Sequence, residues 1–174
     1  MENKTWIIDN AHSEVQFKVK HLVISTVTGS FTKFNGIVDA TENFENVKIS
    51  FEADIDSIST HNEQRDEHLK SPEFFDAGTF PKLKFTSTKF TKTGDDYELE
   101  GDLSIKDVSR KVKLTVDHSG IAKDPWGNVK AGFEVSGKIN RKDFGLTWSA
   151  LTETGGAVVS DEVKLIANIQ LLKQ

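Results

Sequence analysis

Apolar and polar residues alternate along much of this 174-residue chain. Every second position is apolar or small in six segments, at 15–19, 47–55, 99–105, 112–116, 131–139 and 163–171. Because successive side chains of a β-strand point to opposite faces, each segment predicts a strand with one dry face and one wet face. Strands buried on both faces would be apolar throughout. The pattern therefore predicts an antiparallel β-protein.

The length of the alternating segments limits the architectures that fit. Several approach ten residues, which is longer than the common strand, and few helical patterns accompany them. Their dry faces must therefore be buried against each other, in a closed barrel or in a sandwich, and closure also removes exposed strand edges. Turn residues at 92–96, 123–128 and 154–156 separate the strands, and nothing indicates a linker or a repeat. We expect a single domain over 1–174.

One stretch between the predicted strands departs from the alternation. The segment 60–63 (Thr-His-Asn-Glu) predicts a capping box and a short helix through Leu69. The segment 71–73 (Ser-Pro-Glu) predicts a second helical turn that carries the Phe pair at 74–75. Arg65 lies among acidic residues, and we expect it to pair with one of them. The crossover either covers one end of a barrel or packs under a loop.

Small residues occur among the large ones on the predicted dry faces. They are Gly29, Ala53, Gly101, Ala131, Gly137 and Ala167. An eight-stranded barrel is just wide enough to be filled by side chains or to hold one slim ligand. The small residues indicate either an elongated apolar cavity or positions of β-bulges and tapering strand ends. A cavity with such walls would bind a hydrocarbon-like ligand.

Composition narrows the function further. With 22 basic and 27 acidic residues the net charge is −5, which disfavours binding to nucleic-acid phosphates. The absence of Cys excludes disulfides, thiolate metal sites and cysteine nucleophiles. The 12 Phe outnumber 3 Trp and 1 Tyr, so the aromatic surface has few polar groups.

No sequence motif points to catalysis or to a metal. The histidines are not spaced as metal ligands, and the signatures of serine hydrolases, dinucleotide-binding folds and phosphate loops are absent. We expect no catalytic residues, no metal and no cofactor. An enzyme remains the alternative, and it would need an inward-facing titratable group, with His12, Asp66 and His68 as candidates.

The chain carries no signal for a membrane or for export. An acidic residue stands at position 2, no apolar region precedes Asp9, and no apolar run approaches the ~18 residues of a membrane span. These features predict a cytoplasmic protein without stable membrane insertion, or a periplasmic one if a leader has been removed.

Ordered sequence blocks recur along almost the whole chain, at 6–9 (Trp-Ile-Ile-Asp), 12–13 (His-Ser), 21–22 (His-Leu), 29–31 (Gly-Ser-Phe), 65–69 (Arg-Asp-Glu-His-Leu), 71–76 (Ser-Pro-Glu-Phe-Phe-Asp), 80–81 (Phe-Pro), 101–108 (Gly-Asp-Leu-Ser-Ile-Lys-Asp-Val), 131–133 (Ala-Gly-Phe), 140–145 (Asn-Arg-Lys-Asp-Phe-Gly) and 159–163 (Val-Ser-Asp-Glu-Val). With these blocks the chain resembles the YceI-like family of lipocalin-like polyisoprenoid-binding proteins. The resemblance implies an all-β fold, an antiparallel up-and-down eight-stranded barrel with short helices in one crossover. It also implies that Asp66, His68 and Arg141 tie a loop to the barrel wall.

The resemblance and the dry faces together predict a protein that carries or sequesters a long-chain apolar ligand inside the barrel. The ligand would be a polyisoprenoid, an isoprenoid quinone or a fatty-acyl lipid, and no nucleic acid is expected as a partner. The alternatives are an enzyme acting on an amphiphile within the barrel, or an interaction module with a packed core, its long strands pairing across a homodimer. The candidate ligand-binding residues are Phe17, Val19, Phe31, Phe51, Leu69, Phe74, Phe75, Phe85, Leu103, Ile105, Phe133 and Phe144.

Overall fold

The computed structural model describes residues 2–22, 24–147 and 159–174. The strands in these ranges are β1 (Lys4–Ile8), β2 (Glu14–His21), β3 (Ser25–Phe31), β4 (Phe34–Ala40), β5 (Lys48–Asp54), β6 (Ile58–Ser59), β7 (Lys82–Thr93), β8 (Asp96–Ile105), β9 (Val108–Lys123), β10 (Val129–Asn140) and β11 (Val159–Lys173). Helix α1 (Glu63–Lys70) lies between β6 and β7, and short 3-10 turns lie at Asn10–His12, Ile55–Ser57 and Arg141–Phe144.

The strands form one antiparallel sheet that closes on itself. β1 and β2 are two halves of one bent strand, because both pair with β11 on either side of the 3-10 turn Asn10–His12. β4 and β3 form a second bent strand, which pairs with β1 and β2 respectively. With each bent pair counted once, and with the two-residue β6 that pairs with β3 left out of the ring, the ring is an eight-stranded up-and-down barrel. The predicted barrel is confirmed.

The alternating segments coincide with strands. Five of the six lie inside β2, β8, β9, β10 and β11, and segment 47–55 extends one residue beyond each end of β5. The turns predicted at 92–96 and 123–128 join β7 to β8 and β9 to β10. The turn predicted at 154–156 lies outside the described residues.

The alternation did not reveal β7. A bulge shifts its register between Ser87 and Lys89, so the inward series that begins with Leu83 and Phe85 continues at Phe90. One extra residue reverses the phase of a period-two pattern, which hides a continuous strand from a simple alternation test.

The crossover between β5 and β7 differs from its predicted form. α1 is capped by Asn62, whose Oδ1 accepts from the Arg65 amide at 3.0 Å, and not by a capping box at Thr60. Residues 72–75 form turns and no second helix. Ser71 instead ends α1, because its hydroxyl donates to the His68 carbonyl oxygen.

No helix in the described ranges is long and apolar enough to cross a bilayer.

Candidate functional site

The barrel interior contains an apolar cavity of about 210 Å³, here called the barrel cavity. Among its described lining residues only Gln16 is polar, and the rest are aliphatic, aromatic or glycine. A buried water needs two to four polar partners, and an apolar cavity of ~150 Å³ is known to stay dry and bind benzene. The barrel cavity therefore favours hydrocarbon over water.

A second cavity, here called the mouth cavity, has a volume of about 410 Å³ and lies beneath α1. Its floor is apolar and includes Leu69, Phe74 and Phe75 from the crossover. Its edge is polar and reaches the surface at Asn62 and Gln64. The mouth cavity is therefore amphipathic, whereas the barrel cavity is apolar.

The two cavities are contiguous. Six residues line both of them, namely Phe17, Phe31, Leu83, Ile105, Ile139 and Leu165. Phe31 stands at the junction, since its ring centroid is 5.8 Å from that of Phe17 and 6.3 Å from that of Phe75. The apolar walls of the two cavities therefore meet at these rings.

The structure gathers almost all of the predicted site residues around these two cavities. Phe17, Phe31 and Ile105 line both cavities, Phe51, Phe85, Leu103 and Phe133 line the barrel cavity, and Val19, Leu69, Phe74 and Phe75 line the mouth cavity. Phe144 is the exception, because it is 1% exposed in the core and belongs to neither lining. It lies in the 3-10 turn after β10, where the alternation of β10 no longer holds.

The small inward residues do not all leave space. A Cβ atom added at Gly29 would lie 2.2 Å from Phe17 Cζ, and one at Gly101 would lie 2.4 Å from Phe85 Cζ. At Gly137 the same position is 2.4 Å from Leu114 Cδ2. Of the two alternatives for the small residues, an open cavity or bulges and tapering ends, these three glycines do not themselves supply cavity space, since neighbouring side chains cover them. Ala167 does border the barrel cavity.

A hydrogen-bond network holds α1 over the mouth. The Thr60 amide and hydroxyl donate to Asp66 Oδ1 at 2.8 and 2.6 Å. Arg65 Nε donates to the Thr60 hydroxyl and its Nη2 to the Thr60 carbonyl oxygen, both at 2.8 Å. The predicted pairing of Arg65 with a neighbouring acid is thus wrong, whereas the tying role of Asp66 is confirmed.

Arg141 anchors the opposite side of the mouth. Its guanidinium is 3% exposed and donates to the carbonyl oxygens of Ser160 and Leu146 at 3.0 and 2.6 Å. Burial lowers the pKa of this group from its ordinary value, and Asp161 at 3.7 Å opposes that shift. The contacts join the end of β10 to the start of β11, which confirms the structural role implied for Arg141.

The three candidates for acid–base chemistry are dispersed. His12 lies at the surface with its Nδ1 2.9 Å from Asp9 Oδ2, and Asp66 is engaged by Thr60. Only His68 borders the mouth cavity, and its Nε2 lies 2.6 Å from Glu73 Oε2. The described residues contain no group of three or more side chains suited to hold a metal ion.

Aromatic residues close the far end of the barrel cavity. Phe44 and Phe90 line both that cavity and a polar depression of about 640 Å³ beyond it. The Phe44 ring is 4.9 Å from Phe133, on which His118 stacks at 4.6 Å. Sequence analysis missed Phe44, which lies in a loop, and Phe90, which follows the β7 bulge. The unusual number of Phe residues was the available signal.

Comparison with known proteins places this geometry in a family. Residues 6–171 match the YceI-like domain. The chain belongs to the YceI-like family. It is 36% identical over 167 residues to a UPF0312 protein of Pectobacterium atrosepticum, and the alignment covers 95% of this chain and 84% of that relative.

Solved structures of related proteins share the barrel. The YceI protein of Campylobacter jejuni is 34% identical, with a TM-score of 0.77 over 95% of this chain and 96% of that one. A domain from Saccharophagus degradans described as polyisoprenoid binding has a TM-score of 0.67, with 97% and 98% of the two chains covered. At a sequence identity of 14%, this structural similarity shows a common fold alone.

Proposed function

We propose that this YceI-like protein binds one long-chain lipid, with the apolar tail in the barrel cavity and the head in the mouth cavity. The ligand is a polyisoprenoid, an isoprenoid quinone or a fatty-acyl lipid, and the protein carries or sequesters it without chemical change. The observation that carries the proposal is the apolar wall that the two cavities share at Phe17, Phe31 and Ile105. The polyisoprenoid-binding description of the Saccharophagus domain supports it.

Burial of a hydrocarbon tail supplies the binding free energy. Each methylene removed from water contributes ~0.8 kcal/mol, and Gln16 is the one polar side chain among the described residues that line the barrel cavity. The cavities disfavour the alternative of an interaction module with a packed core, since an unfilled apolar cavity lowers stability.

The proposal is tested by filling the barrel cavity. Ala167 borders it, so an Ala167→Phe variant places a ring where the tail would lie. Delipidated protein is titrated with a fluorescent prenyl probe and a fluorescent fatty-acyl probe, and we expect the variant to bind at least about tenfold more weakly than the wild type. Ala122→Phe is the matched control, because Ala122 is exposed on β9.

Two results would contradict the proposal. One is a wild-type protein that takes up neither probe and yields no lipid on extraction and mass spectrometry. The other is equal loss of binding in Ala167→Phe and Ala122→Phe. Urea denaturation of both variants shows that each is folded before binding is compared.

A further inference from the structure

Exposed apolar side chains stand at the tip of the hairpin that β2 and β3 form. Ile24 is 86% exposed, Leu22 is also exposed, and both lie between the two strands. The third residue pair below the tip, Val19 and Val27, lines the mouth cavity, as does His21, which directly precedes Leu22. The apolar tip therefore stands beside the opening of the mouth cavity.

Three lysines cross the outer wall of the barrel below this tip. Lys18 of β2 lies directly opposite Lys164 of β11, which in turn lies directly opposite Lys138 of β10. Residues that are paired in this way share one face of the sheet, and like charges opposite each other lower stability. The fold gains nothing from this lysine row (Lys18, Lys138 and Lys164), which indicates that the row serves binding.

Few acidic groups offset the charge of the hairpin and the lysine row. The sequence contains no Asp or Glu from 15 to 38, although 27 of its 174 residues are acidic. In the part of the chain that the structure describes, neither Lys18 nor Lys164 has a carboxylate within 4.0 Å, and Lys138 Nζ is 4.0 Å from Glu162 Oε1. Positive charge therefore remains available next to the apolar tip.

The other exposed tip of the barrel lies among acidic residues. Trp126 is exposed in the turn between β9 and β10, and Asp124 belongs to the same turn. The same end of the barrel carries Asp95 between β7 and β8, and Glu42 and Glu45 at the polar depression. An anionic surface is attracted to the lysine row and is repelled by these carboxylates.

We propose that the β2–β3 hairpin docks the protein on the surface of an anionic lipid bilayer, with Leu22 and Ile24 inserted and the lysine row facing the phosphates. Apolar groups of peripheral proteins sink about 5–10 Å into the headgroup region, and nearby basic residues attract anionic lipids. Lys18 is four residues from Leu22, about 13 Å at ~3.3 Å per residue, so an inserted tip brings the lysine row to the headgroups. The exposed Glu63 and Glu67 of α1 confine the contact to the hairpin side of the mouth.

This inference rests on the proposed function, because a docked hairpin places the mouth cavity where its lipid is collected or delivered. The test measures flotation of the wild-type protein with two kinds of vesicle, phosphatidylcholine alone and an equal mixture of phosphatidylcholine and phosphatidylglycerol. We expect at least about tenfold tighter binding to the anionic vesicles. This preference should disappear at ~1 M salt, where the Debye length is only about 3 Å.

Substitutions assign the binding to the hairpin and to the lysine row. Ile24→Ser should weaken binding to anionic vesicles about tenfold, because it removes most of the apolar surface of the tip. Ile37→Ser is the matched control, since Ile37 is exposed on the outer wall at β4. Lys164→Gln should weaken binding to the anionic vesicles alone, and Lys89→Gln, at an exposed position on β7, should leave it unchanged.

Uptake of a prenyl probe from solution separates the two proposals. Ile24→Ser should bind the probe as tightly as the wild type does, since Ile24 lies outside both cavity linings. Failure of the wild type to take up the probe would overturn the lipid-binding function, whereas vesicle flotation decides the docking hairpin.

Three flotation results would overturn the docking hairpin and leave the lipid-binding function intact. The first is equal binding of the wild type to anionic and neutral vesicles, or binding to neither. The second is equal binding of Ile24→Ser and Ile37→Ser to anionic vesicles. The third is loss of binding in Trp126→Ser but not in Ile24→Ser, which would assign docking to the opposite end of the barrel.

Discussion

Side chains from neighbouring strands pack directly over single glycines in this barrel. Gly29 pairs with Phe17 across β2 and β3, and the Phe17 ring lies where a Cβ at Gly29 would be. Phe85 covers Gly101 in the same way. A ring that lies over a glycine backbone is held near the barrel wall, which leaves the centre of the barrel open. The glycines thus set the shape of the interior through the rings that they accommodate.

Substitution of Gly29 tests this arrangement. In Gly29→Ala the added methyl group would lie 2.2 Å from Phe17 Cζ, so the ring must move. We expect a loss of about 1–3 kcal/mol in the free energy of unfolding, measured by urea denaturation, together with weaker uptake of a prenyl probe. Gly78→Ala is the control, because a Cβ there has no neighbour within 4 Å. Equal stability of the two variants would contradict the packing of the Phe17 ring over Gly29.

Short polar turns connect the elements of the barrel wall. Between β1 and β2, Asp9 binds the His12 ring and accepts from the Ala11 amide at 3.2 Å. Gln170 of β11 donates to Asp9 Oδ2 at 3.3 Å. Asp9 therefore fixes the point at which the first bent strand changes direction against β11.

Acid should weaken this junction. The hydrogen bond from His12 lowers the pKa of Asp9 below its ordinary value of 3.8, desolvation opposes that shift, and the charges of His12 and Lys130 reinforce it. Because the pKa is lower in the folded state, the stabilisation is present above about pH 4 and is lost as the pH falls through the folded pKa. The difference in unfolding free energy between wild type and Asp9→Asn should therefore shrink below pH 4 in urea titrations.

A second variant separates the role of His12. His12→Ala removes the largest cause of the lowered Asp9 pKa. The difference in unfolding free energy between His12→Ala and Asp9→Asn should therefore depend much less on pH. A difference between wild type and Asp9→Asn that stays constant from pH 7 to pH 3 would contradict the role of this hydrogen bond.

At the scale of the whole molecule, the barrel encloses the two cavities, which the proposed ligand would fill. Helix α1 contributes little buried apolar surface of its own, since none of its residues is fully buried. An eight-residue helix has little stability in isolation and depends on its contacts with the rest of the protein. A ligand that contacts Leu69 in the mouth cavity would add to those contacts.

Ligand binding should therefore stabilise the fold and protect the crossover. At a free ligand concentration of one hundred times Kd, the unfolding free energy should rise by about 2.7 kcal/mol. Amide hydrogen exchange should slow in α1, whereas the exposed turn at 123–128 should exchange at an unchanged rate. Stabilisation without slower exchange in α1 would place the ligand away from the mouth.

Sequence analysis predicted the strands more accurately than the contacts between them. The alternation identified β2, β5, β8, β9, β10 and β11, because the face of each strand is a local property. The bulge in β7 and the capping of α1 by Asn62 escaped it, since each depends on one residue whose partners are set by the surrounding structure. The acidic residues near Arg65 in the sequence led to a wrong prediction of an ion pair. Its partners in the structure are the hydroxyl and the carbonyl oxygen of Thr60.

The sequence by itself determined that the protein is an antiparallel β-structure with a dry interior rich in Phe. Periodicity and composition are properties of the chain, and they are sufficient for those conclusions. Only the tertiary structure decided which small residues open space, because a glycine such as Gly29 is covered or free according to the register of the next strand and the rotamer of the ring opposite it. The same holds for Arg65, whose hydrogen bonds go to Thr60 and not to the acidic residues beside it in the sequence.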